Sequence, residues 1–231
     1  MDNQRYARQM MLEEIGEEGQ RRISDASVLI VGVGGLGSIV ATYLNGAGIG
    51  RIGLIDADTV SLTNLHRQVL YTEAQLGLPK AVCATEFLAA RSNHTRIECH
   101  NEFLSQDNAG QIFKNYDLVV DCTDNFPTRF LINDTCAQLH KSWIFGAIGP
   151  FSGQVTVFVH GSGRSLADLY EREYLCSQPR TVAGVVGPVP GIIASIEALE
   201  AIKLIAGVPS PLTSRLFSID LLTFDTHLLE F

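Results

Sequence analysis

The chain has 231 residues, 46% hydrophobic and 18% charged. That is enough apolar material for one compact core and too little charge for a disordered or coiled-coil protein. With 17 Lys+Arg against 25 Asp+Glu, the formal net charge of −8 argues against a coat for nucleic acid or anionic lipid, while leaving room for a local basic site.

Residues 1–25 read as an N-terminal helical arm. SVLIV (27–31) is a continuous apolar run, as expected of a strand buried on both faces. A glycine cluster follows, then LGSIVATYLNGAG with apolar residues at helical spacing, and RIGLID (51–56) reads as the next strand. Beyond a polar loop, 80–91 is predicted helical, RIECH (96–100) a weaker strand and DLVVDCTD (117–124) a strong one. A helix through 127–139 and strands WIFGA (143–147) and QVTVFV (154–159) come next. The polar stretch 161–180 is predicted to be a mobile surface loop. A helix over about 192–205 and a terminal hairpin from RLFSI and FDTHLLEF complete the chain.

Strands alternating with helices imply right-handed crossovers. The fold class is therefore α/β: a Rossmann-like, mostly parallel sheet with helices on both faces, extended by antiparallel strands in the C-terminal third. Residues 1–231 form a single domain, with a nucleotide-binding half over 26–150 and a second half over 151–231.

Five cysteines, at 83, 99, 122, 136 and 176, form no Cys-x-x-Cys pair, and an odd number suits no closed disulfide framework. The N-terminus mixes both charge signs without a long apolar run, so no signal peptide is expected. The longest stretches free of charge, 142–163 and 181–196, are broken by Gly, Pro and His or are too short for a membrane span. A reducing, cytoplasmic setting follows.

Gly32, Gly34 and Gly37 form G-x-G-x-x-G between a predicted strand and a predicted helix, where close backbone approach and a helix N-terminus suit phosphate. Asp56 ends the second strand, at the place of a ribose-binding carboxylate. By itself this pattern favours a nicotinamide or flavin dinucleotide. Asn64, Arg67 and Gln68 crowd into the following loop, however, and Lys80 opens the next helix. Such cations suit a triphosphate whose charge must be neutralised before its α-phosphorus is attacked. Lys80 alone reads equally well as an unconnected surface cation. Asp124 lies at the carboxyl end of a strand among these cations and is the candidate Mg²⁺ ligand. Asp121 reads better as a cap for the turn.

RYARQ (5–9), GVGGLG (32–37), LIDADTVSLTNLHRQ (54–68), LPKA (78–81), DCTDNFPTR (121–129) and AGVVGPVPGIIASIEALEAIKLIAG (183–207) resemble, in order and spacing, the ThiF/MoeB/HesA family. These are ubiquitin-activating-like adenylyltransferases of bacteria. The resemblance implies MgATP-dependent adenylation of the C-terminal Gly-Gly carboxylate of a ubiquitin-like sulfur carrier, in thiamine or molybdopterin synthesis, with release of pyrophosphate. It implies that Gly35 and its neighbours pack on the nucleotide and that Asp56 holds the ribose. Asn64, Arg67 and Lys80 contact the phosphates, with Gln68 nearby, and Asp124 coordinates Mg²⁺ with Asn125 beside it. By the same resemblance Arg8 would reach the γ-phosphate region of the neighbouring subunit, which implies a homodimer, and residues 151–231 would bind the carrier and form the crossover loop.

Two departures stand out. Zinc-containing relatives carry two Cys-x-x-Cys pairs; here Leu166-Ala167-Asp168-Leu169 stands at the first and the second is missing, so no structural zinc is expected and the 161–180 loop should be looser. Where many relatives place a cysteine before the Ala-Gly-Val run, this chain has Arg180. Cys176 lies four residues earlier, either a thiol for the acyl-adenylate or an incidental one. His66, inside the nucleotide loop, either lines the pocket or faces solvent. Other readings are an NAD(P)-binding oxidoreductase, a catalytically silent carrier-binding module, and a relative that adenylates a peptide or tRNA, although nucleic acid is not an expected partner.

Overall fold

The computed structural model describes residues 3–179 and 184–231. Among them eight strands make one sheet: β1 (Ser27–Val31), β2 (Arg51–Ile55), β3 (Arg96–His100), β4 (Leu118–Asp121), β5 (Ser142–Ile148), β6 (Ser152–Phe158), β7 (Arg215–Asp220) and β8 (Thr226–Glu230). Their order is β3-β2-β1-β4-β5-β6-β7-β8, parallel from β3 to β5 and antiparallel from there to β8. Strand direction reverses at the tight β5–β6 connection, where Gly149 N–H donates to Ser152 O at 2.8 Å.

Among the described residues eight α-helices connect and cover the strands: α1 (Asn3–Met10), α2 (Gly16–Asp25), α3 (Gly35–Ala47), α4 (Lys80–Arg91), α5 (Gln106–Phe113), α6 (Phe126–Gln138), α7 (Arg172–Ser177) and α8 (Pro188–Ala206). The uninterrupted SVLIV run works because both faces of β1 are covered. Val28 and Ile30 pack with α3, α4 and α8, whereas Leu29 and Val31 pack with α5 and α6. No described helix is long and apolar enough to cross a membrane.

The predicted elements are present with four adjustments. The strand expected to run to residue 124 ends at Asp121, because Asp121 Oδ1 accepts from both Thr123 N–H (2.9 Å) and Thr123 Oγ1 (2.7 Å) and turns the chain out of the sheet. That is the capping role expected of Asp121. The C-terminal helix starts earlier, at Pro188, whose fixed φ and missing N–H suit a first helical position. Helix α5 was not foreseen: QDNAGQIF has few strong helix formers, and a capping box between Ser105 and Asn108 supports its start.

The fourth adjustment concerns 161–180, which is not featureless over its described part. A 3₁₀ turn (Leu166–Asp168) and α7 are tied to α6: Leu166 N–H donates to Asn133 Oδ1 at 2.9 Å, and Arg172 forms a two-pronged pair with Asp134 while its guanidinium stacks on Phe130. Leu166, expected to replace a cysteine, is fully buried. Arg180 lies outside the described residues.

Candidate active site

After β3 the chain crosses through α5 to β4 on the other side of β1, so the strand order reverses there. The carboxyl ends of β1 and β4 lie side by side, Val31 opposite Asp121, and the diverging loops frame a cleft of about 660 Å³. Such a switch point is where open α/β sheets receive ligands.

The floor is the glycine loop. Gly32 has φ +89°, and a side chain at Gly37 would put its Cβ 2.0 Å from Gly32 O. Between them the Val33 peptide is held at both ends: its N–H donates to Asp56 Oδ2 (2.7 Å) and its carbonyl accepts from Tyr71 Oη (2.7 Å). With the loop so fixed, Gly34, Gly35 and Leu36 line the cleft, where first-turn N–H groups of a helix lack helical acceptors and suit phosphate. Tyr71 went unremarked in the sequence because it stands in a loop without periodic signal. We expect Tyr71→Phe to lower the midpoint of thermal unfolding by a few degrees, since a buried hydrogen bond is worth about 1 kcal/mol. It should also weaken ATP binding several-fold; calorimetry showing unchanged affinity would remove Tyr71 from the site.

Asp56 lines the cleft as expected. Its Oδ1 also accepts from Asp58 N–H at 2.8 Å. Burial pushes its pKa up, while the two backbone donors and Lys80 pull it back. A carboxylate oxygen accepts more than one hydrogen bond, so room for ribose hydroxyls remains.

Lys80 is only 4% exposed, and its ammonium meets Asp58 Oδ2 at 2.9 Å. A buried ammonium needs such a partner, so Lys80 is no unconnected surface cation. Asp58 is a member of the cleft that the sequence reading missed, though its place two residues beyond Asp56 was a usable signal.

Two 3₁₀ turns (Leu62–Asn64 and Glu73–Gln75) shape the loop bearing Asn64, Arg67 and Gln68. Arg67 Nη2 donates to Asn64 Oδ1 (2.8 Å), and Nη1 reaches Thr63 O (3.2 Å) and His66 Nε2 (2.9 Å). His66 is thus exposed beside Arg67 and is not in the cleft wall. Gln68 is buried under Gly34. The start of α8 closes on the same loop, for a Cβ at Gly187 would lie 2.4 Å from His66 O.

Asp124 and Asn125 form the opposite wall. Asn125 Oδ1 accepts from Thr128 N–H at 3.0 Å, so Asn125 caps α6 as well as lining the cleft. Asp124 is exposed on the cleft surface. Among the described residues no three His, Cys, Asp or Glu side chains gather as a metal cage. Mg²⁺ does not need one: one or two carboxylates plus substrate phosphates suffice, and the hard oxygens of Asp124 fit it. Phe103 and Leu104, in the β3–α5 connection, add an apolar wall suited to a base and were not foreseen.

Two expected residues are not in the cleft of their own chain. Arg8 is exposed on α1, which is pinned to the distant ends of α3 and α4: Tyr6 lies on Gly48, Gln9 Nε2 donates to Ala47 O, and Arg5 Nη2 donates to Arg91 O. A 13-residue α3 puts roughly 20 Å between that end and the glycine loop. Cys176 is exposed on α7, and the neighbouring Arg172 is already engaged by Asp134, which holds the carboxyl of Asp134 below its ordinary value.

The chain matches the ThiF family model over residues 6–231. It is 44% identical over 228 residues to a "Sulfur carrier protein adenylyltransferase" of Thermus thermophilus, covering 94% of this chain and 83% of that protein. It is 43% identical to an "Adenylyltransferase and sulfurtransferase MOCS3" of Culex quinquefasciatus over 96% of this chain, but spans about half, 50%, of that longer protein. Among solved structures, E. coli MccB crystallised with AMPCPP and MccA superposes with a TM-score of 0.85 at 25% identity, covering 99% of this chain and 72% of MccB. A glycine loop clamped at Val33, a cation pair facing an exposed aspartate, and these matches agree: the chain belongs to the ThiF family.

Proposed function

We propose that the chain is an ATP-dependent adenylyltransferase acting on the C-terminal carboxylate of a ubiquitin-like sulfur carrier. The observation that supports it most is the convergence of Lys80, Arg67 and the glycine loop on one cleft at the sheet's switch point, opposite Asp124. An oxidoreductase bound to a dinucleotide would leave that concentration of charge without work. The relative named for this activity is alike over nearly the whole chain.

The chemistry asks little of acids and bases. The carrier's terminal carboxylate is ionised at neutral pH and needs no strong general base. One of its oxygens bonds to the α-phosphorus while the bond from that phosphorus to the bridging oxygen breaks, and pyrophosphate leaves with the electron pair. The protein holds the two reactants in line and neutralises the departing charge. Arg67 presents a fork already oriented by Asn64, and Lys80 supplies a desolvated point charge once phosphate replaces Asp58. Asp56 orients the ribose, and the first turn of α3 donates to phosphate oxygens. Mg²⁺, held by Asp124, would supply further charge neutralisation.

We further propose a homodimer in which Arg8 serves the partner's cleft, supported by the distance of α1 from its own. The contacts of Asn133 and Asp134 with 165–172 stand in this reading for a structural zinc, which the chain does without. The carrier ends in Gly-Gly and serves thiamine or molybdopterin synthesis. Cys176 is near enough in sequence to the crossover segment to take up the acyl group as a thioester, its thiol losing a proton as the acyl–phosphate bond breaks and AMP leaves, and its replacement by serine tests that step separately.

The deciding experiment is exchange of labelled pyrophosphate into ATP, run with each small Gly-Gly-ending protein of the source organism. Carrier-dependent exchange is the expected result and identifies the partner. No exchange with any of them, under Mg²⁺, would overturn the assignment.

A further inference from the structure

At the Asp124 wall, where Arg129 also lines the cleft, stands a group of charged side chains that the mechanism does not use. Asp121 and Glu197 are both 0% exposed and Arg129 is buried. They come from three elements: β4, α8 and α6. Arg129 Nη2 donates to Thr123 O (2.9 Å) and Gly146 O (3.3 Å), its Nε stands 3.6 Å from Asp121 Oδ2, and its guanidinium lies against Phe126 and Phe145. Glu197 is pressed against β5, for a Cβ at Gly146 would come 2.2 Å from Glu197 Oε1. Among the described residues neither Glu197 oxygen has a hydrogen-bond partner.

Arg129 therefore grips, with one fork, the two segments that form this wall of the cleft: the turn leading from Thr123 into Asp124, and β5 just before Ile148 and Gly149. We propose that Arg129 is a positioning residue for the cleft, seated between the buried carboxyls of Asp121 and Glu197 so that its hold on Thr123 and Gly146 sets where Asp124 stands. The link to Asp124 rests on the reading above that this aspartate holds the metal.

Charge arithmetic assigns the rest. Two ionised carboxylates around one guanidinium would leave an uncompensated negative charge in a dry interior, which is costly. Asp121 is the ionised partner: its Oδ1 receives two bonds from Thr123 and it faces the Arg129 cation. Glu197 receives none and holds a proton. Burial pushes both carboxyls up, but Arg129 and Thr123 draw Asp121 back, whereas Asp121 adds to the rise at Glu197. The groups facing Glu197 are Asp121 and Cys122 from β4 and Arg129 from α6. Strands β5 and β6 and helix α3 bring no charged side chain, and from α2 the Arg22 guanidinium lies at the far end of α8, by Ala206 and Gly207, nine residues or more away.

Amide hydrogen exchange on the protein without nucleotide tests the grip directly. In Arg129→Met, the peptide over 121–128 should exchange at least tenfold faster than in the parent chain, and the Mg²⁺ concentration giving half-maximal pyrophosphate exchange should rise at least tenfold with little change in ATP affinity measured without metal. Arg129→Lys keeps the charge but loses the fork and should fall between. A folded variant with parental exchange over 121–128 and a parental Mg²⁺ midpoint overturns the proposal. So does failure of Arg129→Lys to fold, which would make the cluster a requirement of folding instead of a device for placing the wall.

Glu197→Gln tests the charge assignment, since an amide copies a protonated carboxyl in shape and charge. An unfolded glutamate ionises above its ordinary value of 4.5, while the folded one keeps its proton, so the parent loses stability as pH rises through that range. Glu197→Gln should match the parent in thermal unfolding near pH 4, exceed it increasingly from about pH 5 to 8, and turn over normally. A variant that is less stable by the same margin at every pH would show an ionised Glu197 and sink the assignment. The hydrogen-exchange and thermal-unfolding readouts need no nucleotide, so a parent that fails to exchange pyrophosphate refutes the adenylation reading alone.

Discussion

Asp124→Ala should remove nearly all carrier-dependent pyrophosphate exchange, by roughly 10³-fold, while the protein folds as before. The expectation follows from two opposite properties of one residue. Asp124 is exposed at the cleft, beyond the turn that Asp121 and Thr123 hold at the end of β4, so its carboxylate is no part of the buried core. For catalysis it is the acidic group on the wall facing Arg67 and Lys80, where a bound triphosphate brings several negative charges that only a divalent cation reconciles with an aspartate. Raising Mg²⁺ should recover part of the loss, because the phosphates still bind metal without the carboxylate. The checks are exchange rates over a Mg²⁺ series and a thermal melt of each protein. A variant with near-normal exchange at low Mg²⁺ would show that the metal is held elsewhere.

Much of this cleft could be read from residues alone, and the reason is geometric. A glycine loop between an apolar strand and a helix, an acid at the end of the next strand and cations in the next loop are local patterns, each imposed by backbone geometry near its own position. Gly37 is legible because no other residue fits 2.0 Å from Gly32 O, and β1 because burial on both faces demands an uninterrupted apolar run. What stayed hidden depends on contacts between distant segments. Tyr71 reaches Val33 across 38 positions, with no helical or strand period to mark it. Glu197 and Glu200, spaced three apart on α8, look in sequence like a solvated face, yet both are buried. Nothing in the IEALEAIK run marks one of its acids as buried within electrostatic reach of Arg129. Asp58 looked like an ordinary loop acid until Lys80 was found folded onto it, and the 161–179 segment looked loose because its ties, Asn133 and Asp134, belong to a helix some thirty residues earlier.

The position of Arg8 yields the sharpest quantitative expectation. Either Arg8→Ala or Lys80→Ala alone should lower exchange by roughly 10³-fold, the scale on which a charge at a transferring phosphoryl group acts. Equal amounts of the two variants, unfolded and refolded together, should give about half heterodimers under random pairing. In each heterodimer the subunit lacking Arg8 keeps Lys80 and receives Arg8 from its partner, which completes one cleft; the other cleft lacks both groups. Recovery should therefore approach about a quarter of the parental rate and fall when the mixing ratio departs from one to one. If Arg8 acted within its own chain, every cleft in every combination would lack one charge and no mixture would recover. The fold already speaks against that arrangement, because Tyr6 and Gln9, on either side of Arg8, hold α1 against the middle of α2 and the end of α3 farthest from the glycine loop. The outcome that would sink action across the dimer is a flat, inactive mixing curve from material whose heterodimers are demonstrated by differently tagged subunits.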